Sequence, residues 1–138
     1  MSATDRQSAV QVRSFSFICD RIFEGENSTD SFGRAVAIGG DADGDGYKDA
    51  LIGAFRFPGK NPAQGRAYLY YGADKVNMDT ECDITFSCPE PGYSQFGVSV
   101  DTFDIDDDGH AEVLIGARFA CDFRGQIYLY FFYLRYVI

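Results

Sequence analysis

A chain of 138 residues, 46% apolar and 16% aromatic, is long enough to bury one core and too apolar to be a disordered acidic tail. Its net charge of −9 disfavours nucleic acid, which needs a basic surface, and favours a cation as partner. A single histidine, four cysteines without a CxxC pair and no apolar run of membrane length argue against a His-rich zinc site, a zinc ribbon and a transmembrane segment.

The chain opens on the polar stretch "MSATDRQSAV", with no apolar core of a signal peptide. Residues 1–18 are expected to be an N-terminal segment, the end of a preceding unit. A first unit spans 19–74. It starts with "CDRIFEGENSTDS" and continues through "FGRAVAIGG", an acidic run, "ALIGA" and "GRAYLYYG". A second unit, 75–138, repeats the same blocks in the same order: "CDITFSCPEPGYSQ", "FGVSVDTF", another acidic run, "VLIGA" and "GQIYLYFF". A fixed period of about 60 residues marks a repeat architecture.

Within each unit "RAVAI", "ALIGAF", "RAYLYY" and "DITF" or their counterparts are short, β-branched or aromatic, and bounded by Gly, Asp, Asn or Pro. No window carries helical spacing. The predicted fold is all-β: a partial β-propeller of about two four-stranded blades. The end of the chain, "YLYFFYLRYVI" from Tyr128 to Ile138, reads as an apolar strand with a sticky edge. Two blades leave both outer faces bare. The chain is therefore expected to be a piece of a longer exported protein, or a unit that closes a ring with its own copies.

The acidic run of the first unit, "DADGDGYKD", sets four carboxylates into nine residues. Such crowding pushes protons onto the acids unless a cation is held. Asp41, Asp43 and Asp45 at positions one, three and five can point to one centre. Gly46 permits the turn, Tyr47 can offer its carbonyl at position seven, and Asp49 closes the site at position nine. This is an oxygen cage for Ca2+. The second run, "DIDDDGHAE", offers Asp104, Asp106, Asp108, the carbonyl of His110, and Glu112 in place of Asp. Two calcium sites are thus expected, the first the more regular. With only their carbonyls engaged, the side chains of Tyr47 and His110 should be free. A helix-flanked EF-hand is disfavoured because its position twelve must be Glu, whereas Ile52 and Ile115 stand there.

These blocks resemble the FG-GAP repeats of the integrin alpha-subunit β-propeller. Phe32-Gly33 and Phe96-Gly97 match the "FG", and Gly53-Ala54 and Gly116-Ala117 the "GA"; Phe55 and Arg118 stand where the family has Pro. The resemblance covers about residues 19–130. It implies calcium loops between the strands of each blade and a non-enzymatic adhesion or protein-interaction module at the cell surface. Its partners would be other proteins or further blades. The alternative it leaves is an accessory repeat domain of a larger secreted or surface enzyme, such as a phospholipase. Asn27-Ser28-Thr29 is a glycosylation sequon, which suits an exported glycoprotein. Cys19, Cys82, Cys88 and Cys121 could pair in three ways or stay free.

Overall fold

Among the described residues, seven strands form where branched and aromatic residues run between glycine- or aspartate-rich turns. They are β1 (Ala35–Ile38), β2 (Ala50–Ala54), β3 (Arg66–Tyr70), β4 (Ile84–Ser87), β5 (Phe96–Phe103), β6 (Glu112–Ala117) and β7 (Gln126–Tyr130). The computed structural model describes residues 18–132, and among these there is no helix. The first sheet has the order β1-β2-β3-β4 and the second β5-β6-β7, every pair antiparallel. The architecture is all-β, two blades of a β-propeller.

The second blade has three strands among the described residues, where four are expected from the sequence. The reason is a difference in phase. β4 begins at Ile84, well after β3 ends at Tyr70, while β7 ends at Tyr130, close to the last described residue. The segment that opens the second sequence repeat therefore completes the first sheet. The rest of the predicted apolar strand, and residues 1–17 of the N-terminal segment, lie outside the described residues.

Alternation along the strands separates two faces. Leu51, Ala67, Leu69 and Phe86 of the first sheet pack on Val113, Ile115, Ala117 and Phe96 of the second. The other face of the first sheet gathers Ile52, Ala54, Tyr68 and Tyr70 under Phe23 and Phe32. The aromatic pairing repeats between units: Phe32–Tyr68 at 5.5 Å matches Phe96–Tyr128 at 5.3 Å, and Phe23–Tyr70 at 4.8 Å matches Phe86–Tyr130 at 4.9 Å.

The FG and GA motifs meet where the blades touch. A Cβ on Gly53 would lie 2.0 Å from the Gly97 carbonyl oxygen, so the two backbones approach as only glycine allows. Gly97 also has a φ of 89°. The "GA" glycine of one repeat is thus the seat for the "FG" glycine of the next.

Candidate metal centre

Both acidic runs are tight loops at the same end of their blades, 39–49 between β1 and β2 and 104–111 between β5 and β6. In the first, Asp41 organises the turn. Its Oδ1 accepts from the Gly44 and Asp45 amides at 2.8 and 3.1 Å, and its Oδ2 from the Gly46 amide at 2.7 Å. Asp43 accepts from the Asp45 amide at 3.2 Å and Asp45 from the Tyr47 amide at 2.9 Å. These are Asx turns: each short acid folds the backbone two residues on. Gly46 has a φ of 94° with open space around its missing Cβ, so it is required for its dihedral angle rather than for room.

Asp49 is fully buried. Its Oδ2 accepts from the Ala42 amide at 2.6 Å and its Oδ1 from the Gly72 amide at 2.8 Å, tying the loop's start to the chain leaving β3. One carboxylate oxygen from each of Asp41, Asp43, Asp45 and Asp49 lies within 4.8 Å of the others.

The second loop repeats this frame. Asp104 accepts from the Asp108 and Gly109 amides at 3.2 and 2.9 Å, Asp106 from the Asp108 amide at 3.3 Å, and Asp108 from the His110 amide at 2.8 Å. Asp104, Asp106 and Asp108 converge within 4.8 Å. Glu112, 1% exposed, takes the place of Asp49: its Oε2 accepts from the Ile105 amide at 2.7 Å. Its Oε1 is buried and without a hydrogen-bond partner. The longer side chain keeps the structural bond to position two, and its carboxylate is not part of the converging set.

The electrostatics match the crowding. Burial raises Asp43 to about 6, with the charges of Asp45 and Asp49 pushing the same way. Burial also raises Asp49, reinforced by Asp41 and Asp45. For Asp41 burial acts upward too, but the Gly46, Gly44 and Asp45 amides outweigh it and the group is lowered. A cluster holding one acid half-protonated near pH 6 accommodates a positive charge in its place. The donors are carboxylates alone, without thiol or imidazole, which suits a hard cation.

Tyr47 is 45% exposed, in keeping with a side chain free of the site. His110 departs from expectation. Its ring is engaged: Nδ1 lies 3.1 Å from the Ala42 carbonyl oxygen in the first loop. The Ala111 amide donates to the Asp41 carbonyl at 2.8 Å, so the loops are joined twice. The sequence signal was the repeat itself, since equivalent loops on stacked blades come side by side. The four cysteines are free thiols, Cys88 buried and Cys19 and Cys82 exposed. Asn27 of the sequon is exposed, its backbone amide donating to Asp30 Oδ2.

No protein-family model matches the chain. It is 29% identical over 112 residues to integrin alpha-3 of Cricetulus griseus, a match that covers 80% of this chain and 10% of that protein. It is 31% identical over 106 residues to phosphatidylinositol-glycan-specific phospholipase D of Mus musculus, covering 76% of this chain and 12% of the relative. With integrin alpha-6 of Homo sapiens it shares 28% over 120 residues, 86% of this chain and 10% of the relative. The chain spans about a tenth of the length of the curated relatives it matches.

Proposed function

Because most of this chain is an FG-GAP region of the integrin-alpha propeller type, we propose that it is a calcium-stabilised, non-enzymatic binding module on the outside of the cell. The observation that carries this reading is the pair of acidic loops at equivalent places on two stacked blades, both with converging carboxylates. Asp41, Asp43, Asp45 and Asp49 would hold one Ca2+ with the Tyr47 carbonyl. Asp104, Asp106 and Asp108 would hold the other with the His110 carbonyl, while Glu112 anchors that loop through the Ile105 amide. The ion neutralises carboxylates that otherwise repel, so its binding free energy becomes folding free energy. The two repeats, 19–74 and 75–138, are read as the evolutionary units and the sheets as the structural ones, offset by a strand.

The partner reading follows from the blade faces. Leu114, Gly116, Ile127 and Leu129 stand on the second blade where Leu51, Gly53, Ala67 and Leu69 stand on the first. Those four of the first blade face the second blade, whereas Ile127 and Leu129 are 71% and 41% exposed. We read this face as the seat of a further blade of the same kind, with ligand contacts made by the assembled module. A second reading rests on the phospholipase D similarity: the same module could serve as the accessory repeat region of a secreted or surface enzyme.

Calorimetry tests the calcium reading. Two ions should bind per chain with dissociation constants on the order of 10⁻⁴ to 10⁻³ M, as in extracellular modules. A folded chain that takes up no calcium at millimolar concentrations would refute it.

A further inference from the structure

The second loop reaches into the first through one side chain. Ala42 lies between two of the converging acids, Asp41 and Asp43. Its amide is held by Asp49 Oδ2 at 2.6 Å, and its carbonyl oxygen faces His110 Nδ1 at 3.1 Å. A carbonyl only accepts, so Nδ1 carries the proton and donates. Both ends of that residue are therefore fixed, one from inside the loop and one from the neighbouring blade. With them are fixed the peptide planes that aim Asp41 and Asp43.

The fit around the ring is close. A Cβ on Gly44 would lie 2.5 Å from His110 Cε1, so glycine at that place makes room for the imidazole. Beside it, a Cβ on Gly40 would lie 2.5 Å from Ala111 Cβ and 2.2 Å from Thr102 Oγ1. The Ala111 amide bonds the Asp41 carbonyl at 2.8 Å. Residues 110 and 111 thus clasp 40–44 across the blade junction.

We propose that His110 is a positioning residue for the first cation loop and that through it the two loops bind cation as a coupled pair. The inference rests on the calcium reading of the loops. His110 faces both sites: its backbone carbonyl is offered to the second loop's ion, and its ring orders the first. Fixing the backbone at His110 fixes the ring, and ordering the first loop returns the effect, since coupling between sites is reciprocal.

The test is a calcium titration of the full ¹⁵N-labelled chain, with the Gly46 amide reporting the first loop and the Gly109 amide the second. His110→Ala should weaken binding at Gly46 about fivefold, the effect of one hydrogen bond of ordinary net strength, and weaken Gly109 only by the smaller coupling factor that Asp106→Ala removes from the first site. His110→Asn, which keeps an N–H donor at the δ position, should restore most of the loss. Asp106→Ala, which removes the second site, should weaken the first while His110 is present and not when it is Ala. Unchanged affinity at Gly46 in His110→Ala overturns the proposal and leaves the calcium reading intact. So does equal weakening of both loops without rescue by Asn, which would mark a general structural role. A wild-type chain in which neither amide responds to calcium overturns both.

Discussion

The two acidic loops share a frame and differ in how position nine uses its oxygens. Asp49 divides them, one to the Ala42 amide and one to Gly72, and still stands within the converging set. Glu112 keeps the bond to position two, at Ile105, and leaves its other oxygen buried without a partner. One methylene separates a carboxylate that serves fold and site together from one that serves chiefly the fold. The bond from position nine to the amide of position two is the shared element, and it shapes the loop in both blades. Ligand convergence is built on top of it.

The contrast between the blades can be broken most severely at their glycines. Gly53 faces the Gly97 carbonyl at the junction, whereas a Cβ on the equivalent Gly116 would crowd the Ser99 hydroxyl, at 2.2 Å, with the Ser99 carbonyl oxygen at an ordinary 3.7 Å. Gly53→Ala should cost about 3 kcal/mol or more, because backbone cannot yield. Gly116→Ala should cost about 1 kcal/mol, since a serine hydroxyl can turn aside. Thermal melts of the two variants in calcium would show this; equal costs would mean that the junction is not as tight as the structure has it.

Next in size is position nine. Asp49→Ala removes the acceptor for two amides, and a loss of about 2–3 kcal/mol is expected from denaturant melts in chelator. Glu112→Asp should do the opposite for its own loop. A shorter carboxylate that keeps the Ile105 bond would join the converging set, and second-site calcium affinity should rise. An affinity that falls instead would show that Glu112 already uses its partnerless oxygen on the ion.

Position four gives a smaller, asymmetric swap. The first loop has Gly44 at a φ of 75° and the second has Asp107 at 59°. Asp107→Gly should stabilise by up to about 1 kcal/mol, by easing a left-handed residue. Gly44→Asp should destabilise, since its Cβ would press on the His110 ring. If both swaps were neutral in melts, the left-handed strain and the ring contact would carry no weight.

The smallest effect is a pH slope. Asp43 is raised to about 6 by burial and like charge, above its unfolded value. The folded chain therefore binds the extra proton, so this contribution to stability is complete below the unfolded pKa and is lost as pH rises through about 6. In chelator, the difference in melting temperature between wild type and Asp43→Asn should change over that window. Saturating calcium, which competes with the proton, should remove the change. A difference that stays flat with pH in chelator would mean that Asp43 titrates normally.

What could be read from the chain and what could not divides along range. The acidic loops follow from residue types a few positions apart: short acids, a glycine that turns left-handed, strands on either side. The FG and GA pairs are legible as a repeat, but not their meeting, because Gly53 and Gly97 come together only when one blade stacks on the next. The same holds for β4, whose residues open the second repeat and pair with the first sheet. It holds again for the His110 ring, whose partner Ala42 is remote in sequence. Burial of Asp49 depends on the chain leaving β3, which no local pattern announces.

The offset between repeat and sheet has a mechanical side. β4 laps back onto β3, Leu69 opposite Ile84 and Arg66 opposite Ser87, so consecutive repeats are joined like overlapping planks rather than beads on a string. Tension along the chain meets this joint before it can extend the linker 71–83. The β3–β4 hairpin is loaded at its open end and parts one rung at a time, beginning at Arg66 and Ser87. Phe86, seated against Tyr130 at 4.9 Å, resists that peeling from the neighbouring blade. A stretched module of this kind frays first at β4, while β1 and β2, which hold the first acidic loop between them, stay paired.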